Sequence, residues 1–394
     1  MDTDKGSLSK FVIFILLVVG AFGVMGGGLV APSLPTIGEA FDAPEEQYGW
    51  ILSIYTLAAA ISLPFIGYFI DSIGRKKVGI TCLLIDGLGG LAIIFAPSFS
   101  VILSLRFIQG IGIAGLVPVA MTVIGDLFSG EKRLKVMGYL TATISLGAVF
   151  IPTIGGVLAS IDWRLVFAVY GLSLILALLF FLTLPETSPS KDSEDFEHDS
   201  PLEYASSLFS VLKIAKVRNM MIHSLILYFL LYALVTFLPI YLITQHGFEE
   251  IFTGLALSLQ AVFGAFLSSR ASFVARYMSW RRRASLGFAL MAVGFLLLPV
   301  WPKNSYLVSL SFIIYGVGMG LTSPTIYDRV TRISPEKLTG SVISIFNTMK
   351  YIGMTLSPFL LGLALIFTGL NIVFIGVGLM AGIWALFTIF PERG

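Results

Sequence analysis

The chain has 394 residues, of which 56% are hydrophobic and only 12% are charged, with a formal net charge of +2. A soluble domain carries about 25% charged residues, so this composition excludes an ordinary soluble protein. The small net charge gives no indication of a nucleic-acid partner, and the single cysteine, Cys82, excludes an intrachain disulfide.

Twelve apolar segments follow one another along the chain, and each is long enough to predict a membrane helix, because about 20 residues cross the hydrocarbon. They cover residues 11–37, 48–70, 78–96, 101–127, 136–160, 164–184, 220–243, 251–275, 283–300, 305–328, 338–366 and 371–390. The first segment has no small-residue cleavage pattern, which predicts a retained span. The predicted fold is an all-α membrane protein with twelve transmembrane helices.

Lysine and arginine are distributed unevenly between the loops. If the N-terminus is cytoplasmic, 20 of the 25 lysines and arginines lie in cytoplasmic segments. Only Arg164 and Lys303 then lie in external loops. This bias predicts that both termini are cytoplasmic. The expected location is the plasma (inner) membrane, which the chain crosses several times.

The longest break between spans divides six predicted helices from six. Its charged first part is typical of a solvated linker, and its second part has the apolar spacing of a helix lying on the membrane surface. Glycines and prolines recur across the break at an offset of 206 residues, as in Gly110 and Gly316 or Pro152 and Pro358. The prediction is two pseudo-symmetric six-helix bundles with a site between them. The predicted units are residues 1–184, the linker 185–219 and residues 220–394.

The stretch GYFIDSIGRKK, residues 67–77, lies between the second and third spans. Its Gly67, Asp71, Gly74, Arg75 and Lys76 match the pattern G-x-x-x-D-x-x-G-R-K/R, so the chain resembles the major facilitator superfamily over essentially its whole length. The resemblance is to the 12-span drug:proton antiporter group of these secondary transporters. It implies that the motif holds the two halves together in the outward-open state.

Two acidic side chains belong to the same expectation. The resemblance implies that Asp126, at the end of the fourth span, joins the motif. We also expect Asp71 to accept N–H bonds at the start of the third span, where a helix favours negative charge. The alternative is that the basic residues of the motif only set the topology.

The fourth span contains RFIQGIG, residues 106–112, which is similar to the family segment R-x-x-Q-G-x-G. Arginine inside a span is costly, so Arg106 is a functional candidate, and the resemblance implies a part in proton coupling. The alternative is that Arg106 extends to the external interface.

The fifth span resembles the signature G-x-x-x-G-P-x-x-G-G, which is associated with antiporters. Gly147, Pro152, Gly155 and Gly156 match the signature, whereas Ile151 replaces the glycine before the proline. Small residues let neighbouring helices pack closely, so the segment predicts either a tightly packed gate or ordinary helix packing.

Few other ionisable residues lie within or next to the spans. Lys350 lies near the middle of the eleventh span, where a lysine costs about 2.5 to 3.5 kcal/mol. It is expected either to face a cavity and contact substrate or a coupling acid, or to pair with a neighbour. Asp86 in the third span is a candidate proton carrier or a neutral hydrogen-bonding residue. Glu39, near the external mouth, is a candidate for proton loading or part of a solvated loop.

The resemblance implies that the cavity wall comes mainly from the first, fourth, seventh and tenth spans, with the eleventh at its border. Aromatic and methionine side chains there accommodate varied amphipathic ligands, although each could also serve only in packing. The candidate cavity residues are Phe22, Met25, Tyr228, Tyr232, Gln260, Tyr315, Asn347 and Lys350.

The predicted function is proton-coupled efflux of small amphipathic compounds by antiport. The proton gradient would supply the energy, and no cofactor, bound metal or nucleic acid is expected. No P-loop, metal-ligand spacing or catalytic cluster is visible, so an ATP-driven pump or an enzyme is not expected. The expected partners are the small-molecule substrate, protons and the bilayer, with the protein a monomer. The alternatives are a symporter or uniporter of a polar or anionic solute, and a membrane sensor that does not transport.

Overall fold

The computed structural model describes residues 2–187, 208, 210–303, 306–334 and 339–390, and all regular elements within these ranges are helices. The charged part of the predicted linker lies outside the described residues, as does the beginning of the predicted surface helix. The described end of the linker is a short 3-10 turn, Val211–Lys213.

Six long helices form the first half of the molecule. They are α1 (Asp2–Phe22), α2 (Trp50–Ile73), α3 (Arg75–Ile93), α4 (Phe99–Leu127), α5 (Gly130–Ile161) and α6 (Gly171–Thr183). The first span is broken after α1 and continues through Met25–Gly28 and Leu34–Ala40, with a bend of 49°. Glycine and proline in this stretch weaken the helix where it bends.

Six further helices form the second half. They are α7 (Ala215–Thr244), α8 (Glu250–Ser269), α9 (Trp280–Leu297), α10 (Ser309–Ile333), α11 (Thr339–Phe367) and α12 (Leu370–Ile389). The order of the helices matches that of the twelve predicted apolar segments.

Within the described residues, ten helices are long and apolar enough to cross a membrane, or eleven if the bent first span is counted. The remaining member of the bundle is α3, which begins with three basic residues and carries Asp86 in its middle. The predicted all-α membrane fold is confirmed, while length and composition alone do not account for every one of the twelve spans.

The helix contacts repeat between the halves. Helix α4 packs on α2 and α3, and α10 packs on α8 and α9 in the same way. Between the halves, α5 packs on α8 and α2 packs on α11. These two contacts are equivalent under the internal repeat, because α2 corresponds to α8 and α5 to α11. The halves are therefore joined by two matched seams.

Both seams are tightest at the end of the molecule that holds the α1–α2 and α7–α8 loops, which we call the closed end. Backbone meets backbone there, since a Cβ at Gly156 of α5 would lie 2.5 Å from the carbonyl oxygen of Glu250 and 3.2 Å from the Cα of Gly254. Only glycine permits such an approach. The opposite end, where Arg75, Lys132 and Arg281 lie at helix starts, is called the basic end.

Hydrogen bonds reinforce the closed end. Thr36 donates to the Glu250 carboxylate at 2.7 Å. Further along the seams, the Thr153 and Ser258 hydroxyls are 2.7 Å apart, and Thr355 donates to Thr56 at 3.0 Å. The structure is thus a conformation in which the halves are joined at the closed end.

Candidate functional site

The motif of residues 67–77 forms the turn between α2 and α3 at the basic end. Gly74 has a φ of 110° and a ψ of 150°, a conformation that strongly favours glycine. The turn places Arg75 inward, with only 6% of its surface exposed. Its Nε donates to Asp126 at 3.0 Å, Nη1 donates to the Ile70 carbonyl at 3.1 Å, and Nη2 lies 3.4 Å from Asp71.

The expectation for Asp71 is wrong in one respect. Asp71 lies in the last turn of α2, where it pairs with Arg75, and the N-terminus of α3 is capped by Glu186 instead. Glu186 Oε1 accepts from the Lys76 backbone N–H at 3.2 Å, and Thr187 donates to Asp126 at 2.9 Å. The sequence reasoning missed both residues, although PET directly after the sixth span was the available signal.

Asp71, Arg75 and Asp126 form these hydrogen bonds and ion pairs with partners in the first half of the molecule. The Lys76 ammonium lies 5.2 Å from the ring of Phe181, which also belongs to the first half. A role of the motif in holding the halves together stays a prediction, because this conformation is joined at the other end.

Arg106 lies fully buried in α4, so the alternative that it extends to the interface is wrong. Its guanidinium donates to the Gly26 carbonyl at 2.8 Å and to the Ile51 carbonyl at 3.3 Å, and lies 4.2 Å from the Tyr55 ring. The Gly26 carbonyl belongs to the broken stretch of the first span. Arg106 therefore ties that break to α2 and α4.

A carboxylate lies at the end of the same network. Arg106 donates to Gln109 Oε1 at 2.7 Å, and Gln109 Nε2 donates to Asp86 at 3.2 Å. Asp86 is fully buried and also accepts from Ser173 at 2.6 Å. The structure brings Asp86 and Arg106 together through Gln109, whereas Glu39 is exposed near the closed end and has no described contact with them.

The antiporter-like segment lies in α5 where that helix meets α1 and α8. Gly155 faces the Leu29 backbone, and Gly156 faces α8 in the other half. A Cβ at Gly147 would meet the Val24 side chain at 3.4 Å, and Ile151, the departure from the signature, points its Cδ1 toward Gly147. Pro152 is buried, and its carbonyl lies against Gly254. The segment therefore forms part of the seam at the closed end.

Lys350 is half-buried in α11, with its ammonium 5.4 Å from the Tyr228 ring and 5.3 Å from the Tyr351 ring. Among the described residues, no carboxylate lies within 4.0 Å of it. Thr355, slightly more than one turn further along α11, forms the seam with α2. Lys350 thus lies just on the basic-end side of the point where the halves meet.

Four further cavity candidates lie on the first span, α7 and α11. Tyr232 reaches from α7 to the first span in the other half, since a Cβ at Gly27 would lie 2.6 Å from its hydroxyl. Phe22 and Met25 are buried beside the break in the first span. Asn347, one turn before Lys350, is half-buried and donates to the Ile343 carbonyl at 3.1 Å.

Tyr315, another cavity candidate, packs against α9. Its ring packs edge-on against Phe295 at 5.3 Å and its Cβ lies over Gly294, so the side chain lies between α10 and α9. Gly316 and Gly320 of α10 face α8, whereas Tyr315 and Gly318 lie on the side of α9. Gln260 is buried on α8, where its backbone carbonyl meets Gly316.

A known protein family matches the chain across most of these helices. The family model described as Major Facilitator Superfamily matches residues 16–358. The chain is 27% identical to the bacillibactin exporter of Bacillus subtilis (strain 168) over 348 residues, 85% of each chain. It is 26% identical to the class B tetracycline resistance protein of Escherichia coli over 354 residues, 86% of each chain.

Solved structures share the fold at lower identity. A bacterial homologue of the human lysosomal transporter Spinster, in an inward-facing and unoccupied conformation, aligns with a TM-score of 0.76 at 18% identity, covering 97% of this chain and 95% of that one. The nucleoside transporter NupG aligns with a TM-score of 0.80 at 14% identity, covering 96% and 100%.

Proposed function

Because the chain belongs to the Major Facilitator Superfamily of secondary transporters, we propose that it exports small amphipathic compounds in exchange for protons. The names of two relatives, an exporter and a tetracycline resistance protein, support the outward direction. In this proposal the substrate binds between the halves and is released when the closed end opens.

The proposal rests on the position of Lys350, whose ammonium lies near the point where the halves meet. A lysine at this depth costs about 2.5 to 3.5 kcal/mol unless water, a carboxylate or an anionic ligand offsets the cost. Lys350 has aromatic neighbours and no described carboxylate, so a bound substrate is the partner that we assign to it. The tyrosine rings suit an apolar or aromatic substrate body, and the ammonium suits an anionic or neutral group.

The proposed proton carrier is Asp86. Its carboxylate connects through Gln109 to Arg106, and Arg106 holds the break in the first span. A change in the charge of Asp86 changes the field at Gln109 and Arg106 in a buried site, where electrostatic interactions are strong. Protonation is therefore coupled to the geometry of the first span, which lines the space between the halves.

The experiment uses the full chain in liposomes with an imposed pH gradient and a trapped pH dye. Anionic, neutral and cationic amphiphiles are added to wild type, Lys350→Gln and the control Lys303→Gln, whose lysine lies in a loop at the closed end. We expect substrate-dependent proton movement in wild type and the control. We expect at least tenfold less in Lys350→Gln for the preferred compound. Equal activity of Lys350→Gln with every active compound would contradict the role of Lys350.

Coupling is tested separately with Asp86→Asn and Glu39→Gln, each reconstituted in the same way. Asp86→Asn should still exchange labelled substrate across the membrane, but without proton movement. Glu39→Gln should keep both. The reverse result would assign the proton to the exposed Glu39.

A second candidate function is symport or uniport of an anionic solute. It is favoured by the same cation, because Lys350 without a described carboxylate attracts an anion whichever direction is physiological. Uptake of a labelled anion that is lost in Lys350→Gln and causes no proton movement would select uniport. Uptake together with proton entry would select symport.

A further inference from the structure

A pocket of about 240 Å³ lies between α7, α9 and α12 at the basic end. Its lining includes neither Lys350 nor the tyrosines beside Lys350, so its ligand is distinct from the substrate proposed above. Its inner wall includes His223, Trp280, Trp384 and Thr388, and Arg281 lies at its edge.

The inner wall of the pocket is fixed by polar and aromatic contacts. His223 is only 9% exposed, with Nδ1 at 2.8 Å from the Asn219 carbonyl and Nε2 at 3.3 Å from the Thr388 hydroxyl. Its ring lies 5.2 Å from Trp384 and 6.2 Å from Trp280. The pocket is therefore built from buried side chains of three helices and is more than a gap between surface residues.

The Arg281 guanidinium lines the pocket, and the Arg329 guanidinium lies beside the Trp280 wall of the pocket. Arg281 lies 5.1 Å from the Trp280 ring and donates to the Phe390 carbonyl, and Arg329 lies 5.3 Å from the same ring. In the described ranges neither has a carboxylate within 4.0 Å, since the nearby Asp328 pairs with Arg332. Helix α9 also begins at Trp280, which adds the positive end of its dipole.

The outer edge of the pocket is apolar and exposed. Phe387 is 68% exposed, Phe390 is 64% exposed and Ile222 is 41% exposed. In a membrane these side chains face lipid tails, and tryptophan is the residue typical of the level of the head groups. The pocket therefore has a cationic, aromatic inner part that continues directly into a lipid-facing apolar surface.

We propose that this pocket binds the head group of an anionic phospholipid from the leaflet at the basic end. The lipid phosphate lies against Arg281 and Arg329, and the acyl chain runs over Phe387. Anionic lipids are recognised in this way by basic pockets between membrane helices. A guanidinium is suited to phosphate because its several N–H groups donate together, so Arg281 can contact a phosphate while still donating to Phe390.

The test measures binding of short-chain phosphatidylglycerol and phosphatidylcholine to the delipidated full-length protein by native mass spectrometry. Wild type should bind phosphatidylglycerol about tenfold more tightly, the value of one charge-assisted contact. Arg281→Gln and Arg329→Gln should each reduce the preference, and the double variant should abolish it. The control Arg276→Gln removes an exposed arginine at the same end and should keep the preference.

Three outcomes would overturn the proposal. The first is equal binding of the two lipids to wild type. The second is an equal loss in Arg276→Gln, which would indicate general attraction by the basic end. The third is displacement of the lipid by glycerol 3-phosphate at the same concentration, which would indicate a soluble phosphate ligand. Because Arg281 also contacts Phe390, Arg281→Lys keeps the charge and should retain part of the preference if the fold is intact.

Discussion

Gly74 shows how a single residue controls the turn of the basic-end motif. Its φ of 110° is rare for any residue with a side chain. A Cβ at this position would also lie 2.8 Å from Glu186 Cδ. Gly74→Ala should therefore lower the free energy of unfolding by about 1 to 3 kcal/mol and displace Glu186 from the start of α3. Thermal unfolding in detergent measures the effect.

The matched control for this change is Gly138→Ala. Gly138 lies in α5, and a Cβ there would have no heavy atom within 4 Å. It should keep the melting temperature of wild type or raise it slightly, because alanine favours the helix. If Gly74→Ala has the same melting temperature as Gly138→Ala, the turn does not require glycine.

Glu186 is the acceptor at the start of α3, and its loss tests the cap directly. Glu186→Gln keeps the shape but removes the charge beside the Lys76 backbone N–H and the positive end of the helix. We expect a loss of about 0.5 to 1 kcal/mol, measured by thermal unfolding. Glu131→Gln, in the exposed first turn of α5, is the comparison with no described hydrogen bond to another helix. Equal stability of Glu186→Gln and wild type would show that the cap does not stabilise α3.

His246 gives a pH dependence that can be assigned to one residue. It lies in the α7–α8 loop, where burial and the charge of Lys303 lower its pKa below the usual 6.5. The folded state therefore disfavours its protonation, so its contribution is complete above pH about 6.5 and is lost as the pH falls toward the lowered pKa. The melting temperature should fall less between pH 7 and pH 5 in His246→Phe than in wild type. Identical slopes would contradict this assignment.

At the scale of helices, the sequence predicted the features that depend on a local pattern of residues. Apolar length predicted the order of the helices, and the position of residues 67–77 between two apolar segments predicted that the motif lies between the second and third spans. The partners of Arg106 were not predictable in this way, because Gly26 and Ile51 are brought to it by the packing of three helices. The packing of Tyr315 was not predictable for the same reason, since which side of α10 meets α9 depends on how these helices pack.

The close packing of α5 on α8 can be tested by one substitution in α8. Gly254 faces the Pro152 carbonyl and the Thr153 Cα, so a larger side chain separates the two helices. Gly254→Leu should weaken the closed end and make its seam residues accessible. The measurement is thiol labelling of a cysteine introduced at Ser258, which should become at least tenfold faster. Gly369→Leu, with open space at its Cβ position, should leave the labelling rate unchanged.

At the scale of the whole molecule, the two matched seams limit how the halves can move. Helix pairs α5–α8 and α2–α11 are related by the internal repeat, so a rocking motion that opens one seam at the closed end opens the other there as well. The break in the first span and its tie to Arg106 lie between the seams. In the proposed transport cycle, this symmetry would open the closed end as one movement of the two halves about the middle of the molecule.

This motion is tested by joining one seam covalently. The Thr153 and Ser258 hydroxyls are 2.7 Å apart on opposite halves, close enough for a disulfide after substitution by cysteine. Thr153→Cys with Ser258→Cys should cross-link under oxidation, stop substrate flux, and recover it after reduction. The buried Cys82 stays in place, and each single-cysteine variant serves as a control. Full flux through the cross-linked protein would mean that the closed end does not need to open, and alternating access between these two halves would be wrong.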